Sequence, residues 1–269
     1  MDDRIQVTLH EGVADVRLVR TDKMNALDDA MFEALIQTGE RLKTEKGVRA
    51  IVLSGEGRAF CAGLDMGNFG KMASGERQGG ASLLTPNRTA GGSNRAQHAV
   101  MVWREQAVPV IAAIHGVAYG GGFQLALGAD IRFVTPDVRM AVLEIKWGLV
   151  PDMAGIVLMK RLVRDDVARE LTYTGRIFDG EEAYRLGFAT RVCADPRAEA
   201  LALAAEIASK NPAAIRGGKR LLDLAPDADQ HAILLAESVE QGALIGSPNQ
   251  VEAVVSNMQK RPAVYADPA

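Results

Sequence analysis

A chain of 269 residues is long enough to bury a sizeable core and short enough for one large domain or two small ones. At 48% hydrophobic and 24% charged residues it is not a disordered polymer, and a net charge of −3 lacks the basic excess needed to neutralise a nucleic-acid backbone. Two cysteines, Cys61 and Cys193, make neither a disulfide framework nor a four-cysteine zinc site.

The opening Met1-Asp2-Asp3-Arg4 lacks the basic-then-apolar pattern of a secretory leader. The longest apolar stretch, about Ala107 to Tyr119, contains Pro109 and His115 and is too short to span a bilayer. The expectation is a cytoplasmic protein with no membrane or nucleic-acid partner. Ala14–Val19, Val48–Leu53 and Val108–Ile114 are rich in β-branched residues and read as strands. A helix is expected from about Asp28 to Lys43, because Met31, Leu35, Thr38 and Leu42 share one face. This alternation gives an α/β core. From Gly67 to Gly92 the pattern dissolves into Gly, Ser, Asn and Thr, as in a surface loop or a segment that orders over a ligand.

The last third reads as helical. Asp195-Pro196, Asn211-Pro212 and Ser247-Pro248 each place a capping side chain before a proline suited to the first helical turn. Helices from these points are expected to reach about Lys210, Leu224 and Gln259, with another from about Ala228 to Ile245. Ser247 and Gln250 have the form of a capping box. No internal repeat is visible. The expected division is residues 1–195 as a catalytic core and 196–269 as a helical cap or oligomer surface.

Two glycine-containing segments follow strands, Ser54 to Asp65 and His115 to Leu125. Neither matches the dinucleotide G-x-G-x-x-G or a phosphate-binding P-loop. Both offer backbone N–H groups at a strand-to-helix turn, and two such donors aimed at one point can stabilise an oxyanion. Glycines also serve tight turns and close packing.

Phe60-Cys61-Ala62-Gly63-Leu64-Asp65, Gly120-Gly121-Gly122-Phe123-Gln124-Leu125 and Glu144 to Pro151 together resemble the crotonase superfamily, the enoyl-CoA hydratase/isomerase family of acyl-CoA enzymes. Arg20 through Asn25-Ala26-Leu27, Tyr173-Thr174-Gly175-Arg176, Glu181-Glu182-Ala183 leading to Gly187, and Lys260-Arg261-Pro262 extend the likeness over roughly residues 5 to 265. The resemblance implies a β-β-α spiral core with a C-terminal helical region, assembled as a homotrimer or a dimer of trimers. It implies no cofactor, because coenzyme A is part of the thioester substrate, and no metal. By position it puts the oxyanion donors on the N–H groups of Leu64 and Gly121. It lays the CoA moiety along Lys23, Met24, Ala62, Asp65, Met66 and Gly67. Lys260 is either a phosphate contact, from a neighbouring subunit, or a solvated lysine. Cys61 reads as packing rather than nucleophile, since no histidine is placed beside it.

The acids bear on the reaction. Enoyl-CoA hydratases of this family place two glutamates across the site, and here the first position is Gln124 and the second is Glu144. An amide orients water or substrate but exchanges no proton. Glu144 follows apolar Met140-Ala141-Val142-Leu143, so a raised pKa suited to a general base is expected. One base suffices for a 1,3-proton shift, which favours double-bond isomerisation over hydration or a non-catalytic acyl-CoA binder. Asp152 either caps a helix beginning near Gly155 or helps move the proton, as an acid at this spacing does in dienoyl-CoA isomerases. On this reading Gln124→Glu raises hydration. Trp103, Phe123 and Trp147 are core or pocket wall.

Overall fold

In a computed structural model, which describes residues 4–75 and 83–267, the chain opens with an antiparallel hairpin. Its strands β1 (Ile5–His10) and β2 (Val13–Leu18) are joined by Glu11 and Gly12, both at positive φ, a turn whose twist matches that of the strands. There follow α1 (Asp29–Thr44), β3 (Ala50–Gly55), α2 (Met66–Ala73), α3 (Arg95–Arg104), β4 (Val110–Ile114), β5 (Val117–Tyr119), α4 (Gly121–Leu127), β6 (Ile131–Val134) and β7 (Arg139–Ala141). Next come α5 (Gly155–Met159), α6 (Asp165–Thr174), α7 (Gly180–Leu186) and β8 (Arg191–Val192). The chain ends in α8 (Pro196–Ala208), α9 (Pro212–Leu224), α10 (Gln230–Leu244) and α11 (Pro248–Met258).

The main sheet has six strands in the order β1-β2-β3-β4-β6-β8, parallel from β2 onward. Every residue of β3 and β4 is buried, as befits parallel strands covered on both faces. A second, smaller layer pairs β5 with β7, and single bridges extend it: Leu27 with Leu64, Cys61 with Ala118, Met140 with Phe178. Each pass of the chain thus contributes one strand to the main sheet and one short extended segment to the second layer. A helix or a 3₁₀ turn follows. This structural repeat leaves no sequence repeat, because the two extended pieces face different surroundings.

One face of the sheet is covered by α8, whose Ala200, Ala204 and Ala208 share a helix face and pack against Val52, Ile111, Ala113 and Phe133. The helical region from residue 196 therefore begins with a helix that shares the core of the strands. Beyond it the packing loosens, and α10 buries none of its residues in this chain.

Several expectations need correction. β1 escaped notice because it is an edge strand with mostly exposed side chains and little alternation. The patternless stretch expected from Gly67 begins instead as α2, capped by Asp65, whose carboxylate accepts from the Gly67 N–H at 2.7 Å. Part of that stretch, residues 76–82, lies outside the described residues. The Ser247 hydroxyl does accept from Gln250 N–H, but the Gln250 side chain turns to the N–H of Gly246, so the box is half made. A complete capping box is formed by Asn94 and Gln97, at the start of α3. Finally, Asp152 does not cap α5: that position is taken by Ala154 in the left-handed region, with no side-chain cap.

Candidate active site

The second layer of short strands builds the site. After β2, Met24 and Asn25 turn at positive φ, and buried Asn25 donates through Nδ2 to the carbonyls of Glu56 and Ala59 at 3.0 and 2.8 Å. This holds residues 24–28 alongside 59–65. Leu27 N–H then donates to Gly63 O at 2.8 Å, and Asp65 N–H to Leu27 O at 3.0 Å. In a parallel ladder, a residue bracketed in this way turns its own N–H away from its partner. Leu64 is that residue, it lines a cavity, and its N–H donates no hydrogen bond among the described residues. The N–H of Gly121, the first residue of α4, is likewise unspent among them. The two turns touch: a β-carbon on Gly63 would come within 3.7 Å of the Gly121 nitrogen.

The cavity has a volume of about 1050 Å³. One portion of its lining is polar, with Asp22 and Lys23 from the 3₁₀ turn Thr21–Lys23. The rest is chiefly apolar and includes Phe69, Met72, Leu83, Trp147 and Leu149. Phe69 and Trp147 stack with ring centroids 4.2 Å apart and so tie α2 to the 3₁₀ turn Glu144–Trp147.

Glu144 begins that turn. Three residues earlier, Ala141 O accepts from Gly120 N–H at 3.0 Å, which fastens the Glu144 segment to the turn before Gly121. Gly120 takes φ +50° and ψ −116°, a conformation suited only to glycine, and a β-carbon there would lie 3.3 Å from Glu144 Oε1. The carboxylate is buried. Its Oε1 accepts from Gln124 Nε2 at 2.6 Å, and its Oε2 has no partner among the described residues. Burial pushes the Glu144 carboxyl above the ordinary glutamate range, the Gln124 hydrogen bond works the other way, and the nearby Asp152 charge raises it further.

Gln124 is engaged at both ends. While its Nε2 holds Glu144, its Oε1 accepts from the N–H groups of Met153 and Gly155 at 2.9 and 2.8 Å. A β-carbon on Gly155 would lie 2.6 Å from that oxygen, so glycine is required for the fit. The amide is therefore a brace between Glu144 and the turn beside Asp152.

Of the other expected residues, Lys23, Met24, Ala62, Asp65, Met66, Gly67 and Asp152 all line the cavity. Lys260 does not; it lies exposed just beyond α11. Cys61 is packing: fully buried, its thiol donates to Asn25 O, and burial pushes its pKa up to about 12. Trp103 and Phe123 are core residues, the latter edge-on to Phe178 and Phe188, whereas Trp147 is pocket wall. The wall residues Phe69 and Met72 were missed, although Met66, Phe69 and Met72 carry a helical spacing that Gly67 and Gly70 mask.

Comparison with known proteins agrees with this geometry. The sequence profile of the family described as enoyl-CoA hydratase/isomerase matches residues 8–268. The mitochondrial Delta(3,5)-Delta(2,4)-dienoyl-CoA isomerase of Mus musculus is 29% identical, over 96% of this chain and 80% of that protein. The mitochondrial methylglutaconyl-CoA hydratase of the same species is 28% identical, over 95% of this chain and 80% of that one. The crystal structure of an enoyl-CoA hydratase from Bacillus anthracis superposes with a TM-score of 0.85 at 27% identity, covering 97% of this chain and 98% of that chain. The chain belongs to the enoyl-CoA hydratase/isomerase family of the crotonase superfamily, enzymes that act on acyl-CoA.

Proposed function

We propose that this enzyme moves a double bond along an unsaturated acyl-CoA thioester, with Glu144 as the base. One observation carries the reading: Glu144 Oε2 is buried at the cavity wall with no partner among the described residues, while Oε1 is held by an amide that cannot take up a proton. The partner of Glu144 at residue 124 is thus an amide and not a second carboxylate.

In the proposed reaction, Glu144 Oε2 removes a proton from the carbon next to the thioester carbonyl or conjugated with it. The C–H electron pair passes into the carbonyl, and the Leu64 and Gly121 N–H groups donate to the resulting enolate oxygen. Removal of one such donor typically raises a barrier by about 3 kcal/mol. Glu144 then returns the proton at the far end of the allyl system, which shifts the double bond and restores the carboxylate. No electron leaves the substrate, so the step calls for no cofactor beyond the CoA it carries. Lys23, Met24, Ala62, Asp65, Met66 and Gly67 would lie along that CoA moiety. Asp152, in the same cavity, would pass the proton along a longer dienoyl system, a reading that the dienoyl-CoA isomerase relative supports. A trimer or a dimer of trimers in the cytoplasm, with Lys260 reaching a neighbouring subunit's CoA, completes the proposal.

Hydration is the second reading, favoured by the fact that two carboxylates, Glu144 and Asp152, line one cavity and can hold a water between them. Turnover of trans-2-, cis-3- and 3,5-dienoyl-CoA thioesters, followed by ultraviolet absorbance, separates the two. Loss of the conjugated 2-enoyl chromophore with formation of a 3-hydroxyacyl product supports hydration. Interconversion of double-bond isomers without that product supports isomerisation. Acyl-CoA binding with no turnover of any of the three defeats both.

A further inference from the structure

We infer that Arg20 is a positioning residue for the Leu64 oxyanion donor, acting as a clamp between the caps of two helices. The inference rests on the proposed role of Leu64 and adds a residue that does not line the cavity. The Arg20 side chain is largely buried, and one guanidinium nitrogen donates both to Ala26 O at 2.9 Å and to Asp65 Oδ2 at 2.6 Å. Its other terminal nitrogen lies 3.4 Å from Asp28 Oδ2. Asp28 caps α1 by accepting from Met31 N–H, and Asp65 caps α2 by accepting from Gly67 N–H.

The same two stretches of backbone form the bridge that aims the Leu64 N–H. Ala26 precedes Leu27, and Asp65 follows Leu64, so Arg20 grips the bridge from both strands, one residue from each bridge partner. Burial works against the charged Asp65, yet the Gly67 N–H and the Arg20 guanidinium hold its carboxyl below the ordinary aspartate range. The clamp is therefore charged at neutral pH. An arginine suits the place because its planar fork serves a carbonyl and two carboxylates at once, which a lysine ammonium on a flexible stem does not.

The clamp is tested through the carbonyl of a bound thioester. A trans-2-enoyl-CoA labelled with ¹³C at the thioester carbonyl is bound to Glu144→Gln protein, which lacks the base, and its infrared stretch is compared with that in solution. The expected result is a stretch lowered by the oxyanion donors in the parent. Most of that lowering should be lost when Arg20→Gln or Asp65→Asn is added. With Glu144 intact, Arg20→Gln should lower kcat by roughly ten- to a hundredfold through misplacement of the donor, while affinity for free CoA is retained. Asp28→Asn keeps a capping side chain on α1 while weakening the far side of the clamp and the Arg4 pair, and should leave the carbonyl stretch lowered. If Arg20→Gln does not fold, Asp65→Asn carries the test, since asparagine caps α2 as well as aspartate does.

A stretch that stays lowered in Arg20→Gln, or in Asp65→Asn where Arg20→Gln does not fold, overturns the clamp and leaves the oxyanion reading intact. So does an equal loss in Asp28→Asn, which would mark general loosening. A parent whose bound thioester shows no lowering overturns the role of Leu64 and the clamp together.

Discussion

Gln124→Glu reverses the sign of an interaction at the proposed base, Glu144, and leaves the rest of the brace in place. One oxygen of the new carboxylate can keep both hydrogen bonds that Gln124 Oε1 accepts, from Met153 and Gly155 N–H. The other oxygen replaces Nε2, which lies 2.6 Å from Glu144 Oε1, a contact with no room for water between. With charge centres roughly 4 Å apart, the repulsion at an effective dielectric of 20 is about 4 kcal/mol. That equals about 3 pKa units for the pair, so at neutral pH the two groups share one proton. The backbone N–H groups stabilise charge on residue 124, which leaves the proton with Glu144 and removes the base. Turnover on the acid side of that raised pKa should therefore fall, by up to about three orders of magnitude, and recover as the pH rises through it. Hydration should not increase, contrary to the expectation from sequence, because the paired side chains touch instead of flanking a water. A pH–rate profile of kcat for the variant, with thermal melting to confirm folding, checks this. An acid limb at the wild-type position with wild-type turnover at neutral pH refutes the reasoning.

Asp152→Asn removes a charge that raises the Glu144 pKa, so the acid limb of the rate profile should move to lower pH, and dienoyl turnover should fall by tenfold or more. Gly155→Ala places a β-carbon 2.6 Å from Gln124 Oε1 and should cost about 1–3 kcal/mol in urea unfolding, together with a loss of kcat as the brace shifts. A carboxyl whose pKa is raised on folding stabilises below its unfolded pKa and loses that contribution as pH rises through the folded value. Glu144→Gln should accordingly melt above wild type at pH 8, the gap narrowing as pH falls toward 4.5, the ordinary glutamate value.

How much of this was legible in the sequence follows from range. The starts of three C-terminal helices were readable because a capping side chain followed by proline, as at Asn211-Pro212, is a local signal. The two donor turns were visible because glycines cluster directly after buried strands. The three-residue strands β5 and β7 were not, since three residues show no period. Nor was the role of Gln124: its partners Met153 and Gly155 are 29 and 31 residues away, and nothing in its neighbours announces them. The sequence left Asp152 open between a cap and a proton-moving role, because spacing alone ignores Ala154, whose left-handed backbone starts α5 without side-chain help. The Arg20 grip joins residues 6 and 45 positions on, with each contact ordinary until the bridge of Leu27 and Leu64 is seen.

The central claim is that Glu144 carries the proton. Its most direct test is turnover of cis-3- and 3,5-dienoyl-CoA thioesters by wild-type and Glu144→Gln protein, with acyl-CoA affinity measured alongside. The variant keeps the shape of the side chain and an oxygen for Gln124 Nε2 but cannot accept the proton. Turnover should fall by roughly two orders of magnitude or more while affinity stays close to wild type. Near wild-type turnover in the variant would contradict the account.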